Sequence, residues 1–227
     1  MKKVLFMVAT FMLGLFMVNA QDAAEQSSLE GFEAHIGAVF PNGNFGDEKK
    51  GGAATGLNLG LKYYHPLKTP GLSLFLGLDA FYNGLQGDIK DDIEDYYGND
   101  VDITHSAYLN IPIMAGVNYS YPLNEKTKVF GEFGLGLNYS KITDFKAEED
   151  DDYYKESFDA STQLAYTIGG GLFFNDKYSI GLKYNNLGKH KYKVKWEEEI
   201  QGYKDKNSYK TSALSITNIA IVFGIRF

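Results

Sequence analysis

Histidine, serine and aspartate occur close together in one segment of the chain, and these residue types can form a nucleophilic site. The segment contains Asp102, His105 and Ser106. Acyl transfer needs a serine within hydrogen-bond reach of a histidine that a third group orients. His105 and Ser106 are sequence neighbours, so on a strand they face opposite sides. We therefore expect no catalysis here, and the remaining histidines have no serine or aspartate at a suitable spacing.

Acidic residues crowd two other segments, and carboxylates are the ligands that Ca²⁺ and Mg²⁺ prefer. Residues 84–104 contain seven acids and one lysine, and residues 143–160 contain eight acids and two lysines. The spacing does not match a calcium-binding EF-hand loop, and runs of acids are usually solvated faces. We therefore expect no metal and no cofactor.

A third segment, residues 188–211, has the opposite charge, with seven lysines and four acids. It can pair with the two acidic segments to form one group of opposite charges. Lys189–Lys195 and Trp196 could also bind lipopolysaccharide or a partner. The alternation of lysine with Tyr192, Val194 and Trp196 is explained more simply by a protruding hairpin arm.

The elements that must position these residues show a period of two. In the last segment Ile219, Ile221, Phe223, Ile225 and Phe227 share one face, and Asn218, Gly224 and Arg226 lie on the other. Seven earlier segments alternate in the same way. The eight predicted strands are Phe32–Phe40, Leu57–Tyr63, Leu72–Asn83, Leu109–Tyr119, Val129–Ser140, Tyr166–Phe174, Tyr178–Asn185 and Asn218–Phe227.

These strands are longer than the mean of about 5–6 residues in soluble sheets, and their polar face is rich in glycine. Transmembrane barrel strands have about 10 residues, apolar toward lipid and polar or small toward the lumen. The pattern therefore predicts an all-β fold, an eight-stranded antiparallel up-and-down transmembrane β-barrel.

The connections alternate in length. The long ones are residues 41–53, 84–104, 143–160 and 188–211, and the short ones are His65–Gly71, Pro122–Thr127 and Asn175–Lys177. Outer-membrane barrels have long extracellular loops and short periplasmic turns. Proline cannot donate a ladder hydrogen bond, so we expect a bulge at Pro112. Aromatic girdles at the two interfaces are expected to contain Tyr63, Tyr64, Tyr82, Tyr108, Tyr119, Tyr121, Tyr139 and Tyr192.

The chain begins with the pattern of a secretory signal peptide. Lys2 and Lys3 precede an apolar stretch of 15 residues, and cleavage would follow Ala20. We expect residues 1–20 to be the signal peptide, 21–28 a flexible leader and 29–227 the barrel domain. The net charge of −7 argues against nucleic-acid binding, and the absence of cysteine excludes disulfides and thiolate metal sites.

The alternation also predicts which charged side chains point into the lumen. An eight-stranded barrel is narrow enough for side chains to fill, and opposite charges there should pair because a lone buried charge is costly. A salt-bridged plug is favoured over a polar conduit or proton path. The predicted lumen network is Glu33, His35, Lys62, Asp79, Glu132, Lys183 and Arg226.

The mature chain resembles bacterial outer-membrane β-barrels, namely the small OmpX/OmpA-like barrels and the PorT-like porin family. The most specific segment is Tyr108–Ile113, which is similar to the Tyr-Leu-x-Ile-Pro strand of that family. Phe130–Gly136 is similar to the aromatic-glycine strand that follows it there. Phe223, Ile225 and Phe227 look like the signal that the barrel-assembly machinery reads.

The resemblance implies an integral protein of the cell outer membrane. Its expected partners are outer-membrane lipid, periplasmic chaperones, the assembly machinery and an extracellular ligand that the loops would bind. We expect a structural, adhesive or ligand-binding role. The alternatives are a narrow porin or transport-related barrel and a lipid-modifying enzyme.

Overall fold

The computed structural model describes residues 29–98, 100–149 and 152–227, and strands dominate it. The predicted signal peptide and leader lie outside the described residues. One helix, α1, spans Gly87–Tyr97, and a short 3₁₀ turn spans Gly43–Phe45. The strands are β1 (Gly31–Asn42), β2 (Gly56–Pro66), β3 (Leu72–Asn83), β4 (Asp102–Thr104), β5 (Tyr108–Asn124), β6 (Thr127–Ile142), β7 (Phe145–Glu149), β8 (Asp152–Phe158), β9 (Ser161–Phe174), β10 (Tyr178–His190), β11 (Lys193–Ile200), β12 (Tyr203–Lys210) and β13 (Leu214–Arg226).

Eight of these strands close into an antiparallel barrel in the order β1-β2-β3-β5-β6-β9-β10-β13, with β13 pairing back to β1. The closing register places Glu33 opposite Arg226 and Asn42 opposite Thr217. The predicted eight-stranded up-and-down barrel is therefore confirmed. We call the end with the three short connections the turn end and the opposite end the loop end.

The barrel wall is apolar outside because successive side chains alternate between its two surfaces. Ile221, Phe223 and Ile225 point outward and are 39%, 56% and 51% exposed. Ala220 and Val222, which alternate with them in sequence, are buried in the lumen. Among the described residues, no helix is long and apolar enough to cross a membrane.

The predicted bulge at Pro112 is wrong. Pro112 pairs with Asn138 of β6 without any register shift. On its other side the β3–β5 ladder passes from Leu78–Ile113 to Phe81–Asn110 in unchanged register. An antiparallel strand directs each N–H to only one neighbour, so a proline is tolerated where that single bond is missing.

The predicted aromatic girdles need a correction at three positions. Tyr64, Tyr108 and Tyr192 are buried, with exposed fractions of 0%, 7% and 1%. Tyr64 and Tyr108 share the parity of the lumen residues Lys62 and Asn110, which sends their side chains inward. Tyr82, Tyr119, Tyr121 and Tyr139 do point outward.

The long connections contain more structure than the sequence pattern predicted. Strands from three loops form a second, five-stranded sheet in the order β12-β11-β8-β7-β4, which we call the loop sheet. The predicted arm at residues 188–211 is present as the β11–β12 hairpin. Helix α1 lies in the first acidic segment, and the residue that follows its last turn is Gly98, whose φ of 93° favours glycine.

Candidate functional site

Two of the predicted lumen residues form a buried ion pair. Lys62 on β2 donates to both carboxylate oxygens of Glu132 on β6, at 2.8 and 2.7 Å. Their side chains are 3% and 1% exposed. The ammonium also lies 5.0 Å from the ring centre of Phe75. Because β2 and β6 are not neighbours in the barrel, this bidentate contact crosses the lumen.

Four more predicted residues form a second cluster, centred on His35. Its Nε2 lies 2.6 Å from Asp79 Oδ1 and 3.3 Å from Lys183 Nζ. Glu33 Oε1 lies 3.9 Å from the other ring nitrogen. This arrangement needs Gly60, because a Cβ there would overlap the imidazole of His35.

Arg226, the seventh predicted lumen residue, does not join these clusters. It lies near the turn end, 3.9 Å from Asp176 and over the ring of Phe173. Asp176 also accepts a 2.8 Å contact from Lys128, so the three residues bracket the turn between β9 and β10. Phe227, of the predicted assembly signal, is 75% exposed, and its backbone pairs with Phe32 of β1.

The lumen is also filled above and below the charged clusters. At the loop end, Phe45 is fully buried and packs edge-on against Tyr108 at 5.0 Å. Tyr108 in turn donates to the carbonyl of Gly51 at 2.6 Å. At the turn end, Phe130 and Phe173 pack with ring centres 4.5 Å apart.

Buried amides form a further set of lumen residues, which the charge pattern of the sequence did not single out. Asn138 donates to Asn110 at 3.0 Å and lies 3.2 Å from His190 Nε2. Asn185 donates to Asn218 at 2.8 Å. These asparagines all lie at strand positions whose side chains are predicted to face the lumen. The alternation of the sequence could therefore have identified them.

The structure does not assemble a serine–histidine site at residues 102–106. His105 Nε2 lies 3.0 Å from Glu94 of α1, and residues 105–107 belong to no strand. The opposite-faces argument therefore rested on a strand that is not there. Across residues 29–98, 100–149 and 152–227, no three His, Asp or Glu side chains are placed to hold a metal. Asp150 and Asp151 lie outside the described residues.

The loop sheet has two faces of different chemistry, which its pairing registers define. One face, the lysine face, has every lysine of the five strands: Lys146, Lys155, Lys193, Lys195, Lys204, Lys206 and Lys210. The other, the aromatic face, has no lysine from these strands. Its larger side chains are Phe145, Tyr154, Glu156, Phe158, Trp196, Glu198, Tyr203, Asp205 and Tyr209.

Contacts between loops hold the loop sheet together. Backbone pairing joins β4 to β7 and β8 to β11, and in each pair the two strands come from different loops. Lys195 of β11 donates to Asp159, after β8, at 2.6 Å. This hydrogen bond holds the pKa of the exposed Asp159 carboxyl below its usual range. The opposite charges of these two segments are therefore in contact.

Three solved structures are similar to this chain over most of its length. Ail, the attachment invasion locus protein of Yersinia pestis, is 15% identical, with 88% of this chain and 100% of that chain covered and a TM-score of 0.41. A major outer membrane protein from Thermus thermophilus is 17% identical, with coverages of 87% and 98% and a TM-score of 0.48. OprG from Pseudomonas aeruginosa is 14% identical, with coverages of 90% and 99% and a TM-score of 0.47.

No curated protein matches the chain. The model of one protein family, described as the outer membrane protein beta-barrel domain, matches residues 9–227. That match spans all eight barrel strands, from Gly31 to Arg226. The chain therefore belongs to the outer-membrane β-barrel family, and its location is the outer membrane.

Proposed function

We propose that this protein is a non-conducting, non-enzymatic barrel whose loop sheet binds an anionic ligand outside the cell. The ligand class is a saccharide with several phosphate or sulfate groups. Export would follow cleavage after Ala20, and the alternating C-terminal segment ending in Phe227 would be read by the barrel-assembly machinery. The loop end would then face the exterior, as it does in outer-membrane barrels.

One observation carries this proposal, namely the gathering of seven lysines on one face of the loop sheet. Lys193 and Lys210 are directly opposite each other on β11 and β12. Like charges in such a pair repel each other, so an anion between them would be favourable. Among the described residues, no acid lies within ion-pair distance of Lys193, Lys206 or Lys210.

The lysine face also has a groove that can hold a ligand. Its volume is about 410 Å³. Two serine hydroxyls in its lining can donate to phosphate or sulfate oxygens, and the lysines supply the charge. The lining residues are Ser157, Lys193, Lys195, Trp196, Glu197, Lys206, Asn207 and Ser208.

Strand geometry favours a ligand with several charges over a single anion. Neighbouring strands are about 4.8 Å apart, and alternate residues on one strand are separated by about 6.6 Å. Lys193, Lys195 and Lys210 therefore lie at neighbouring positions, whereas Glu197 and Glu199 are opposite Lys206 and Lys204, and a chain of esters can contact several of the lysines together. Each exposed contact is weak, so affinity should come from their number.

The test measures binding of dextran sulfate to the refolded protein, with neutral dextran as the ligand control. We expect saturable binding that weakens with salt, because exposed charges are screened. The triple variant K193Q/K206Q/K210Q should bind roughly tenfold more weakly, since it loses three exposed ion pairs of up to about 1 kcal/mol each.

The matched control is K49Q/K68Q/K126Q, which removes the same charge from exposed lysines outside the loop sheet. It should bind as the wild type does. Equal weakening in both triple variants would overturn the proposal, as would equal binding of neutral dextran. A parallel titration with lipopolysaccharide micelles distinguishes an anionic lipid of the same membrane from a soluble polyanion.

A further inference from the structure

The aromatic face of the loop sheet has a second potential site, on the side opposite the lysine face. We propose that Tyr154, Glu156, Trp196 and Tyr209 bind a quaternary ammonium group, such as the trimethylammonium of choline. These four residues are called the aromatic patch below. The patch shares Trp196 with the lining of the groove on the lysine face but contains none of its lysines, so the lysine variants and the patch variants test the two proposals separately.

Glu156 lies at the centre of the aromatic patch. Its Oε1 accepts hydrogen bonds from Tyr154 at 2.8 Å and from Tyr209 at 3.2 Å. Tyr154 lies two residues before Glu156 on β8, whereas Tyr209 of β12 reaches Glu156 across the intervening strand β11. Trp196 of β11 is directly opposite Glu156 in the register, and its ring lies 6.4 Å from that of Tyr154 at an interplanar angle of 25°.

The aromatic patch is accessible to a ligand and packs against buried side chains. Tyr209 is 49% exposed, and the other three residues are partly exposed. Beside them Val194 is fully buried, and it is paired with Phe158 on one side and Tyr209 on the other. On the far side of Tyr154, the ring of Phe145 packs at 6.2 Å and continues to Tyr97 of α1.

The charge of this face suits a cation. Glu198 and Asp205 lie on it beside Glu156, and the five strands place no lysine there. Burial and the nearby Glu156 carboxylate raise the pKa of Tyr154 and of Tyr209, so both hydroxyls stay protonated and neutral. The patch therefore combines electron-rich ring faces with negative carboxylate charge, the combination that attracts organic cations.

The hydrogen bonding favours a quaternary ammonium over a primary one. A primary ammonium has three N–H donors, and each needs an acceptor when it leaves water. Glu156 Oε1 already accepts from two tyrosines, and the rings offer no strong acceptor, so only the second Glu156 oxygen and the neighbouring Glu198 and Asp205 could accept from an ammonium held against the rings. A trimethylammonium group has no N–H donor, so it can lie against the rings without losing hydrogen bonds.

The chain provides its own reporter, because Trp196 is its single tryptophan. The experiment titrates the refolded full-length barrel, in a maltoside detergent, with choline and in parallel with ethanolamine. We expect a saturable change in Trp196 fluorescence with choline. Ethanolamine, at the same ionic strength, should need at least about fivefold higher concentration, because the ring faces do not replace the hydrogen bonds to water that its three N–H donors give up.

Variants then assign the response to the patch. Y209L and E156Q should each weaken choline binding by about fivefold or more, through loss of a ring face or of the carboxylate charge. E48Q is the matched control, because Glu48 is exposed and lies outside the loop sheet. It should bind choline as the wild type does. Circular dichroism confirms that each variant is folded.

A folded wild type that shows no saturable response to choline would overturn the proposal. Equal responses to choline and ethanolamine would also overturn it, because the effect would then be ionic only. A third titration with phosphocholine distinguishes the source of the group. Binding equal to that of choline indicates a lipid or glycan headgroup, and much weaker binding indicates a free organic cation.

Discussion

At the scale of single residues, the lumen is organised by pairing. Lys62 and Glu132 come from strands on different sides of the barrel, and they satisfy each other with two short hydrogen bonds. His35 and Asp79 form a similar contact at 2.6 Å. Desolvating a charge costs free energy that only a close partner and good geometry offset. Removing one partner of such a pair should therefore lower the free energy of unfolding, because the other partner is left buried without a counter-charge.

The Lys62–Glu132 pair yields a stability prediction. E132A should lower the free energy of unfolding by about 3–5 kcal/mol, because it leaves the Lys62 ammonium buried without its partner. The double variant K62M/E132L should recover most of that loss, since it removes both charges and keeps the lumen filled. Guanidinium unfolding of the barrel in lipid vesicles measures both.

Glu125, exposed near the turn end, gives the matched control E125A, which should change the free energy of unfolding by less than about 0.5 kcal/mol. If K62M/E132L proves as unstable as E132A, then the unpaired charge is not the cause of the instability, because the double variant has no charge at either position. The pairing argument would then be wrong.

At the scale of elements, the protein consists of a barrel and a loop sheet whose strands pair in two separate sheets. Barrel strands pair only with barrel strands, and loop-sheet strands only with one another. The strands β10 and β13 flank the β11–β12 hairpin in sequence and also pair directly with each other. The hairpin is therefore an extension of the loop end rather than a support for the wall.

This separation predicts that the hairpin can be shortened without loss of the barrel. Replacing residues 195–208 with an Asn-Gly turn should leave the barrel folded, because the replaced residues contribute no strand pairing to the wall. Binding of dextran sulfate should be lost with Lys195 and Lys206. The shift in electrophoretic mobility on heating reports the folded barrel.

The control for this prediction is a variant that disrupts strand pairing in the barrel wall. L76P in β3 removes a backbone donor from a strand that is paired on both sides, and it should impair folding. A shortened hairpin that prevents folding as L76P does would show that the loop sheet supports the barrel. The two sheets would then not be independent.

At the scale of the whole molecule, three filled layers lie in series along the lumen. Phe45 and Tyr108 fill the loop end, the ion-paired clusters fill the middle, and Phe130 and Phe173 fill the turn end. An eight-stranded barrel has an interior just wide enough for side chains. A filled lumen leaves little interior surface for a ligand, so both binding proposals concern the loop sheet, with its lysine face and its aromatic face.

The layered lumen predicts an electrically silent barrel. The refolded protein in a planar bilayer should show no discrete openings, and E132A should stay silent because the other two layers remain. A larger porin inserted in the same bilayer is the control for detection. Reproducible openings of the wild type would favour a narrow pore and contradict the plugged lumen.

The sequence by itself determined the barrel and its lumen face. Alternation in segments such as Ile219–Phe227 records which side chains meet lipid and which meet the interior, because a strand turns its side chains to opposite surfaces. Parity alone therefore identified Lys62, Glu132, His35 and Asp79 as lumen residues. It did not identify their partners, because pairing across the lumen depends on the tilt and stagger of the closed barrel.

Only the tertiary structure decided the loop sheet. The lysine-rich hairpin was predictable from its alternation, but the two acidic segments resembled solvated loops, and α1, β4, β7 and β8 were missed. Pairing between Val194 and Phe158, from different loops, exists because barrel closure brings their loops together. Short strands carry little periodic signal, and their partners are distant in sequence. The two faces that we propose as binding surfaces are thus a consequence of the closed barrel beneath them.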